Sequence, residues 1–285
     1  MLSTVTEEAL KFASTTPLWA FSGSGELLQR FPDLLIIGPQ RCGTSWLSDQ
    51  LSRRPEFILS NPKETHYFNR LKIPDDEFTK NSSRDLDRFL STFEVQERRS
   101  FLDIFRKKTP KVHIEATAST AVEVDDEVFR AIATINPHIQ VILGVRNPVQ
   151  RAWSHLKLLW REKPADSMSQ QEIEEWLAQD YLRQCGDIVG LAEKWNGYVG
   201  AENLMTVFFD DLACDEIGVL SSCLTDLNST FSVPIANTSS KEFGSNGTNS
   251  TPRTQGYEWV MEFLEELHRE DQLRAEDYFG RKLVR

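Results

Sequence analysis

The feature that most constrains this chain is a glycine-containing turn placed directly after a short apolar run. Leu34-Leu35-Ile36-Ile37 is followed by the eight residues GPQRCGTS at positions 38–45. The apolar run predicts a buried strand, and the residues from Thr44 onward predict a helix. A strand, a tight turn and a helix N-terminus in this order direct several backbone N–H groups at one point, where the helix dipole is positive. The sequence therefore predicts an anion cradle at residues 38–45.

The loop differs from the nucleotide-triphosphatase pattern in the position of its cation. That pattern has Gly, four residues, Gly, then Lys and Ser or Thr. Gly38 and Gly43 keep the spacing, but Thr44 stands where the Lys belongs, and the cation is Arg41. A kinase needs that Lys on the β- and γ-phosphates and a hydroxyl on magnesium. The loop therefore suits a 5′-phosphate, and a small-molecule kinase of the P-loop type is the alternative.

Length and charge limit the class of protein. The 285 residues are enough for one large domain with a sizeable core. The net charge of −11 argues against a nucleic-acid partner, because phosphate backbones are bound by clustered Lys and Arg. The four cysteines are widely spaced, which is typical of reduced thiols. With no signal peptide and no apolar run of about twenty residues, we expect a cytoplasmic protein without an integral membrane segment.

Short apolar segments alternate along the chain with helical patterns. The predicted strands cover residues 33–38, 57–60, 111–116, 140–145 and 204–210. The predicted helices cover residues 44–53, 125–135, 148–161 and 188–199. Buried strands that alternate with helices form a mainly parallel sheet with helices on both faces. The fold class is therefore α/β, with ligands expected at the carboxyl ends of the strands.

Three titratable side chains lie close together after the second predicted strand. Lys63, Glu64 and His66 fall within four residues, in a segment expected beside the anion cradle. Glu64 is suited to accept a proton from an acceptor hydroxyl, with His66 to orient that group and Lys63 to neutralise a leaving group. General-base assistance of this kind is typically worth about 10²–10⁴-fold in rate. A solvated loop whose charges pair with one another is the alternative for this segment.

A second anion site is expected after the fourth predicted strand. Arg146 ends that strand, Pro148 opens a helix, and Ser154 lies two turns into the helix. Arg146 can bind a phosphate with two hydrogen bonds, and Ser154 can bind it with its hydroxyl. An ordinary helix N-terminus with surface charges is the alternative. Two anion sites side by side would fit a ligand with phosphates at both ends of a nucleoside.

Together these motifs resemble those of a PAPS-dependent sulfotransferase, PAPS being 3′-phosphoadenosine 5′-phosphosulfate. Residues 37–47 are similar to the family's 5′-phosphosulfate loop, and residues 146–154 to its 3′-phosphate motif. Residues 63–68 are similar to a segment of the heparan-sulfate and bacterial branch, in which the Glu is the base and the His assists. The family's usual loop cation is Lys; Arg41 is the variant that tyrosylprotein sulfotransferases also use. The resemblance covers roughly residues 30–285.

The resemblance implies an enzyme that moves the sulfuryl group of PAPS in line onto a hydroxyl, or onto an amine, and releases adenosine 3′,5′-bisphosphate (PAP). It implies a P-loop-like fold of the nucleotide-kinase kind and no metal, since fixed cations and N–H groups replace magnesium. The catalytic residues that it implies are Glu64 as general base, with His66, Arg41 and Lys63. The resemblance also implies a set of PAPS-binding residues: Arg41, Cys42, Gly43, Thr44, Ser45, Trp46, Arg146 and Ser154.

The sequence leaves the acceptor and the assembly open. The acceptor is a small molecule, a lipid or a glycan; a sugar hydroxyl is the first expectation by resemblance. Ala116 stands where the heparan enzymes often carry Lys, and residues 241–253 take the place of the family's cofactor-covering loop. We expect an N-terminal extension over residues 1–30 and a sulfotransferase domain over residues 31–285. A homodimer, and a nucleotide-binding module that has lost catalysis, remain alternatives.

Overall fold

The computed structural model describes residues 5–71, 84–94, 111–163, 167–232 and 256–284. The expected cofactor-covering loop at residues 241–253 lies outside these described residues. Within them, no helix combines the length and the apolar character needed to cross a membrane.

Among the described residues, five short strands form one parallel sheet. They are β1 (Leu34–Ile37), β2 (Phe57–Leu59), β3 (Val112–Glu115), β4 (Gln140–Val145) and β5 (Leu204–Phe208). Their order across the sheet is β2-β3-β1-β4-β5, and each neighbouring pair is parallel. The α/β fold with a parallel sheet that the sequence predicts is therefore confirmed. β5 ends two residues before its expected limit, because a helix begins at Phe209.

Helices connect the strands and continue after the sheet, and the four that the sequence predicts are present within two residues of their expected ends. Within the described residues, the helices before β4 are α1 (Glu7–Thr15), α2 (Gly25–Leu28), α3 (Thr44–Ser52), α4 (Tyr67–Arg70), α5 (Leu86–Ser91), α6 (Thr120–Glu123) and α7 (Asp126–Ile135). Those after β4 are α8 (Pro148–Glu162), α9 (Gln170–Leu177), α10 (Asp180–Gln184), α11 (Ile188–Val199), α12 (Phe209–Cys214), α13 (Glu216–Phe231), α14 (Glu258–Leu267) and α15 (Arg269–Tyr278).

The sheet is buried on both faces, as its continuous apolar strands predict. Successive side chains of a strand point to opposite faces. Leu35 and Ile37 of β1 accordingly lie in one hydrophobic cluster, while Leu34 and Ile36 lie in another. All four are fully buried. The central strand β1 is thus packed on both faces, so the loop that follows it begins at a rigidly held residue.

The N-terminal helix contributes to the larger of these clusters. α1 begins after Thr6, whose hydroxyl accepts a hydrogen bond from the N–H of Ala9 at 3.0 Å. Ala9 and Ala13 are buried in the same cluster as Leu35 and Ile37 of β1. The boundary that the sequence suggests at residue 31 stays a prediction.

The strand order places the predicted motifs at one edge of the sheet. β1 lies between β3 and β4, and the chain runs outward from β1 to β2 on one side and from β1 to β4 and β5 on the other. Ligands of open α/β sheets bind at the carboxyl ends of the strands where the strand order reverses. The loops after β1, β2 and β4 carry the three motifs, so the topology brings them to the carboxyl edge of the sheet.

Candidate active site

The anion cradle expected at residues 38–45 is a tight turn between β1 and α3. Gly38 (φ 149°) and Gly43 (φ 90°) have positive φ angles, and so does Arg41 (φ 80°). Positive φ is open to glycine but strained for a residue with a side chain such as arginine. Strained backbone of this kind persists where the surrounding structure holds it. The neighbours of the turn therefore decide its shape.

One of these neighbours is the backbone of β4. A Cβ atom at Gly38 would lie 2.8 Å from the carbonyl oxygen of Gly144. A Cβ atom at Gly144 would lie 2.9 Å from the carbonyl oxygen of Cys42. Glycine at both positions is thus what allows the turn to rest on β4, since any side chain would push the two backbones apart. Gly144 plays no part in the sequence motifs, and it is a structural requirement that they missed.

The turn presents backbone N–H groups at the start of α3. Gly43 precedes the helix and caps it with no side chain. The first N–H groups of a helix lack acceptors within the helix, and the helix dipole makes that end positive. Cys42 is buried, and burial raises the pKa of its thiol to about 12. The loop therefore offers N–H donors and a neutral thiol, which suits an anion.

Two arginines and a serine from separate motifs form one cluster beside the turn. Nε of Arg41 donates a hydrogen bond to Oγ of Ser154 at 2.9 Å, and Nη1 of Arg146 donates to the carbonyl oxygen of Arg41 at 2.9 Å. The Arg146 guanidinium also lies 3.9 Å from the centre of the Phe209 ring. Burial lowers the pKa of both arginines, and the charge of Arg161 lowers that of Arg41 further. The structure thus brings the first and third motifs together.

The helix that carries Ser154 is fixed at its first turn. Oδ1 of Asn147 accepts hydrogen bonds from the N–H groups of Val149 at 2.9 Å and Gln150 at 3.2 Å. Pro148 occupies the first helical position, where its missing N–H costs nothing. Nδ2 of Asn147 donates to the carbonyl oxygen of Leu283 at 3.3 Å. The C-terminal segment of the chain therefore helps to orient α8.

The second motif forms a group of three charged or titratable side chains after β2. Nζ of Lys63 lies 2.9 Å from Oε1 of Glu64, and Nε2 of His66 lies 3.6 Å from Oε2 of the same carboxylate. The three side chains are between 26 % and 37 % exposed. The carboxylate is thus paired and open to solvent, so the geometry is compatible with a proton acceptor that two neighbours orient.

Sequence reasoning gave no role to a buried carboxyl group beside this loop. Glu115 ends β3 and is 1 % exposed. It accepts hydrogen bonds from the hydroxyl of Thr65 at 2.9 Å and from the N–H of Thr117 at 3.1 Å. Burial raises the pKa of Glu115, and the hydrogen bonds from Thr117 and Thr65 oppose that rise. A glutamate directly at the end of a predicted central strand, two residues before a threonine, was the available signal.

A second missed group lies on the buried side of α8. Arg151 is fully buried; its Nη2 donates to the carbonyl oxygen of Leu182 at 3.3 Å, and its Nη1 lies 3.5 Å from Nδ1 of His155. Burial, followed by the charges of Arg151 and Arg41, lowers the pKa of His155 to about 4. His155 is therefore a neutral, partly buried packing residue at neutral pH.

The remaining residues of the expected loop have separate surroundings. Thr44 is buried, Ser45 is exposed, and Trp46 is partly buried against the cluster that contains Ile36. Among the residues that the structure describes, no group of three or more His, Cys, Asp or Glu side chains is placed to hold a metal ion.

A parallel α/β sheet with a glycine turn and two arginines at its carboxyl edge defines a fold of the P-loop-like class. The Sulfotransferase family model matches residues 32–232. The chain belongs to this family, and the resemblance of its motifs is thereby confirmed.

Individual relatives are distant. The chain is 24 % identical over 207 residues to a bifunctional heparan sulfate N-deacetylase/N-sulfotransferase 1 of Caenorhabditis briggsae, which covers 67 % of the chain and 22 % of that protein. The match thus spans less than a quarter of the relative's length. The sulfotransferase of Alicyclobacillus acidocaldarius has the same fold, with a TM-score of 0.57, 19 % identity, and coverage of 88 % of this chain and 97 % of that one. Sulfotransferase STF9 of Mycobacterium avium gives a TM-score of 0.50 at 14 % identity, over 96 % and 90 % of the two chains.

We predict that Gly144→Ala distorts the turn, because the new Cβ atom meets the carbonyl oxygen of Cys42. The free energy of unfolding should fall by about 1–3 kcal/mol in urea titrations. Gly197→Ala is the matched control: a Cβ atom there meets nothing within 4 Å, and alanine is the better helix former at this exposed position of α11. Equal stability of the two variants would contradict the close approach.

We predict that His155 makes the protein sensitive to acid. Its pKa is about 4 in the folded protein, against 6.5 ordinarily, so below about pH 6.5 the unfolded chain takes up a proton that the folded one refuses. The resulting loss of stability grows from about pH 6.5 to pH 4 and then levels off. Between pH 7 and pH 4, His155→Gln should therefore lose about 3 kcal/mol less unfolding free energy than the wild type. His138→Gln, at an exposed position, controls for the substitution, and an equal loss in His155→Gln and wild type would refute the prediction.

Proposed function

We propose that the chain is a PAPS-dependent sulfotransferase with Glu64 as its general base. One observation carries the proposal: Arg41 and Arg146, from motifs 105 residues apart, are joined to each other and to Ser154 around the N-terminus of α3. A magnesium nucleotide would call for a Lys at position 44, which is Thr44 here. Family membership supports sulfuryl transfer over the kinase alternative.

The residues around the turn fit the two ends of this nucleotide. The turn at Gly38 and Gly43 has no room for side chains against Gly144 and Leu212, so glycine keeps it tight at both positions. In our proposal the N–H groups of residues 41–46 and the Arg41 guanidinium would hold the 5′-phosphosulfate, with Cys42, Gly43, Thr44, Ser45 and Trp46 as the loop residues involved. Arg146 and Ser154 would hold the 3′-phosphate.

For sulfuryl transfer, the protein needs mainly to position the two reactants and to stabilise the developing charge. PAPS, when bound, supplies the sulfuryl group and a phosphate leaving group. Glu64 accepts the proton of the acceptor hydroxyl, and its two oxygens are oriented by Lys63 at 2.9 Å and by His66 at 3.6 Å. General-base assistance is worth about 10²–10⁴-fold. Fixed donors aimed at developing charge stabilise the transition state without reorganising.

Arg41 takes the role that a loop lysine has elsewhere in the family. Its guanidinium stays charged at neutral pH, so it stabilises negative charge but donates no proton. The hydrogen bond to Ser154 keeps it over the turn. We therefore assign Arg41 an electrostatic role, and Lys63 and His66 the supporting roles around the base.

The acceptor is proposed by class. A sugar hydroxyl is our first candidate, by resemblance to the heparan-sulfate branch. The name of the Caenorhabditis briggsae relative, an N-sulfotransferase, instead favours an amine of a glycan as the second candidate. A phenol and a lipid head group are the other classes to screen. We place the reaction in the cytoplasm and propose no nucleic-acid partner; a homodimer stays an open alternative.

Glu64→Gln should lower turnover by about 10²-fold or more, because the amide cannot accept a proton. Turnover is measured as PAP release from PAPS, with a panel of sugar, phenol, amine and lipid acceptors and with water alone. Affinity for PAP should be unchanged, since Glu64 is not part of the cluster of Arg41, Arg146 and Ser154, called here the phosphate cluster.

The matched control is Glu94→Gln, which removes a glutamate that also pairs with a cation, Arg30, at 2.8 Å but is 62 % exposed. It should keep wild-type turnover. Full activity in Glu64→Gln would remove Glu64 as the base. PAP binding in the wild type with no PAPS turnover on any acceptor would favour the binding module that has lost catalysis.

A further inference from the structure

The segment that follows β3 contacts both halves of the candidate active site. The N–H of Gly38, at the start of the turn, donates to the carbonyl oxygen of Ala118 at 3.2 Å. The N–H of His66 donates to the hydroxyl of Thr117 at 3.2 Å. Residues 115–118 therefore connect the loop that presents N–H groups to the loop that carries Glu64.

The fixed point of this segment is the carboxyl group of Glu115. It is 1 % exposed and belongs to a strand that pairs with β1, in register with Leu35. Three neutral donors converge on it: the Thr65 hydroxyl at 2.9 Å, the Thr117 N–H at 3.1 Å and the Thr117 hydroxyl. A buried carboxyl is costly unless hydrogen bonds satisfy it, so three donors are what make this position tenable.

Each threonine hydroxyl passes the constraint on to the backbone of the next loop. The Thr117 hydroxyl donates to Glu115 and accepts from the N–H of His66. The Thr65 hydroxyl donates to Glu115 and accepts from the N–H of Tyr67 at 3.2 Å. A hydroxyl has one proton to donate, so this direction requires an acceptor at position 115. Through the two hydroxyls, one carboxyl group thus holds the backbone N–H groups of His66 and Tyr67.

That backbone needs to be held. His66 has a φ of 52°, in the left-handed region that residues with side chains rarely adopt. Such strained residues persist where the surroundings over-determine them, and they cluster at functional sites. The hydrogen bonds to Thr117 and Thr65 supply that constraint, directly beside Glu64.

We propose that Glu115 is a positioning residue for sulfuryl transfer, which sets where Glu64 and His66 lie relative to the turn at residues 38–45. The inference rests on the proposed function of Glu64. Glu115 acts through Thr65 and Thr117, and its replacement changes the placement of the base without touching the phosphate cluster. Because a small misplacement of a catalytic group can cost as much as about 10²-fold, the effect belongs in kcat.

The test uses Glu115→Gln in the full chain, because the amide keeps the shape but replaces one oxygen by an NH2 group. The two hydroxyls share one oxygen of Glu115 and the Thr117 N–H uses the other, so in either orientation the NH2 group faces donors. The amide protons of His66 and Tyr67 should exchange with solvent at least about 10-fold faster, while that of Gly38 is unchanged. The kcat of PAP release should fall about 10-fold or more with PAP affinity unchanged. Release is followed with the acceptor that gives the highest wild-type rate, water included.

Asp33→Asn is the matched control. Asp33 is also a buried carboxyl, 4 % exposed, and accepts the N–H of His113 at 2.9 Å, but it precedes β1 at the opposite edge of the sheet. Its change should alter exchange at His113 and leave kcat of the folded protein unchanged. An equal loss of kcat in both variants would mean that Glu115 contributes only stability, and would overturn the proposal.

A double-mutant comparison separates positioning from a structural role. In a Glu64→Gln background, Glu115→Gln should cost little further turnover, because there is no base left to place. Independent, multiplying losses would contradict the proposal. If Glu115→Gln fails to fold, Thr65→Val removes the same hydroxyl bridge and should lower kcat, whereas Thr65→Ser should restore it; equal activity of the two would also overturn the proposal.

Different results would refute the proposed function and the inference about Glu115. A wild-type chain that neither binds PAP nor turns over PAPS would refute the proposed function, and the inference that rests on it. An active wild type with unchanged kcat in Glu115→Gln would refute the inference alone.

Discussion

The site depends on the close contact between two backbones, the turn after β1 and the carboxyl end of β4. Glycine at 38 and at 144 brings them together, and a side chain at either position would hold them apart. Arg146 lies two residues after Gly144, so the same contact puts its guanidinium within 2.9 Å of the carbonyl oxygen of Arg41. The position of the phosphate cluster therefore follows from how β1 and β4 pack against each other. This packing places Arg41 and Arg146 more than the local sequence of their loops does.

The cluster is a positive site on a negative protein. The chain carries a net charge of −11, yet it brings several cations together at this site. Burial lowers the pKa values of Arg146 and Lys157, and the charge of Arg41 lowers both further. Cations held together in a partly buried site repel, and an anion that binds among them relieves the repulsion. Clefts lined by one sign of charge also concentrate ligands of the other sign. The nucleotide of the proposed function, with its two phosphate groups, would supply such an anion.

Local sequence signals predicted the parts of the fold, and long-range packing decided the rest. The five strands and four of the helices were predictable because apolar runs, prolines and the glycine turn act within a few residues. The order β2-β3-β1-β4-β5 was not, since it depends on contacts between distant segments. For the same reason the sequence pointed to Arg41, Arg146 and Ser154 but gave no sign that they touch one another, that Phe209 lies under Arg146, or that Glu115 anchors Thr65.

In the proposed function, this cluster binds a nucleotide with separate 3′- and 5′-phosphates. Calorimetry with PAP on the wild type and on Arg146→Ala, with ATP as the comparison ligand, is the decisive measurement. We expect tight binding of PAP that Arg146→Ala abolishes or greatly weakens, and weak or absent binding of ATP with or without magnesium. No binding of PAP, or a preference for magnesium ATP, would contradict the proposed function. A preference for magnesium ATP would favour a small-molecule kinase instead.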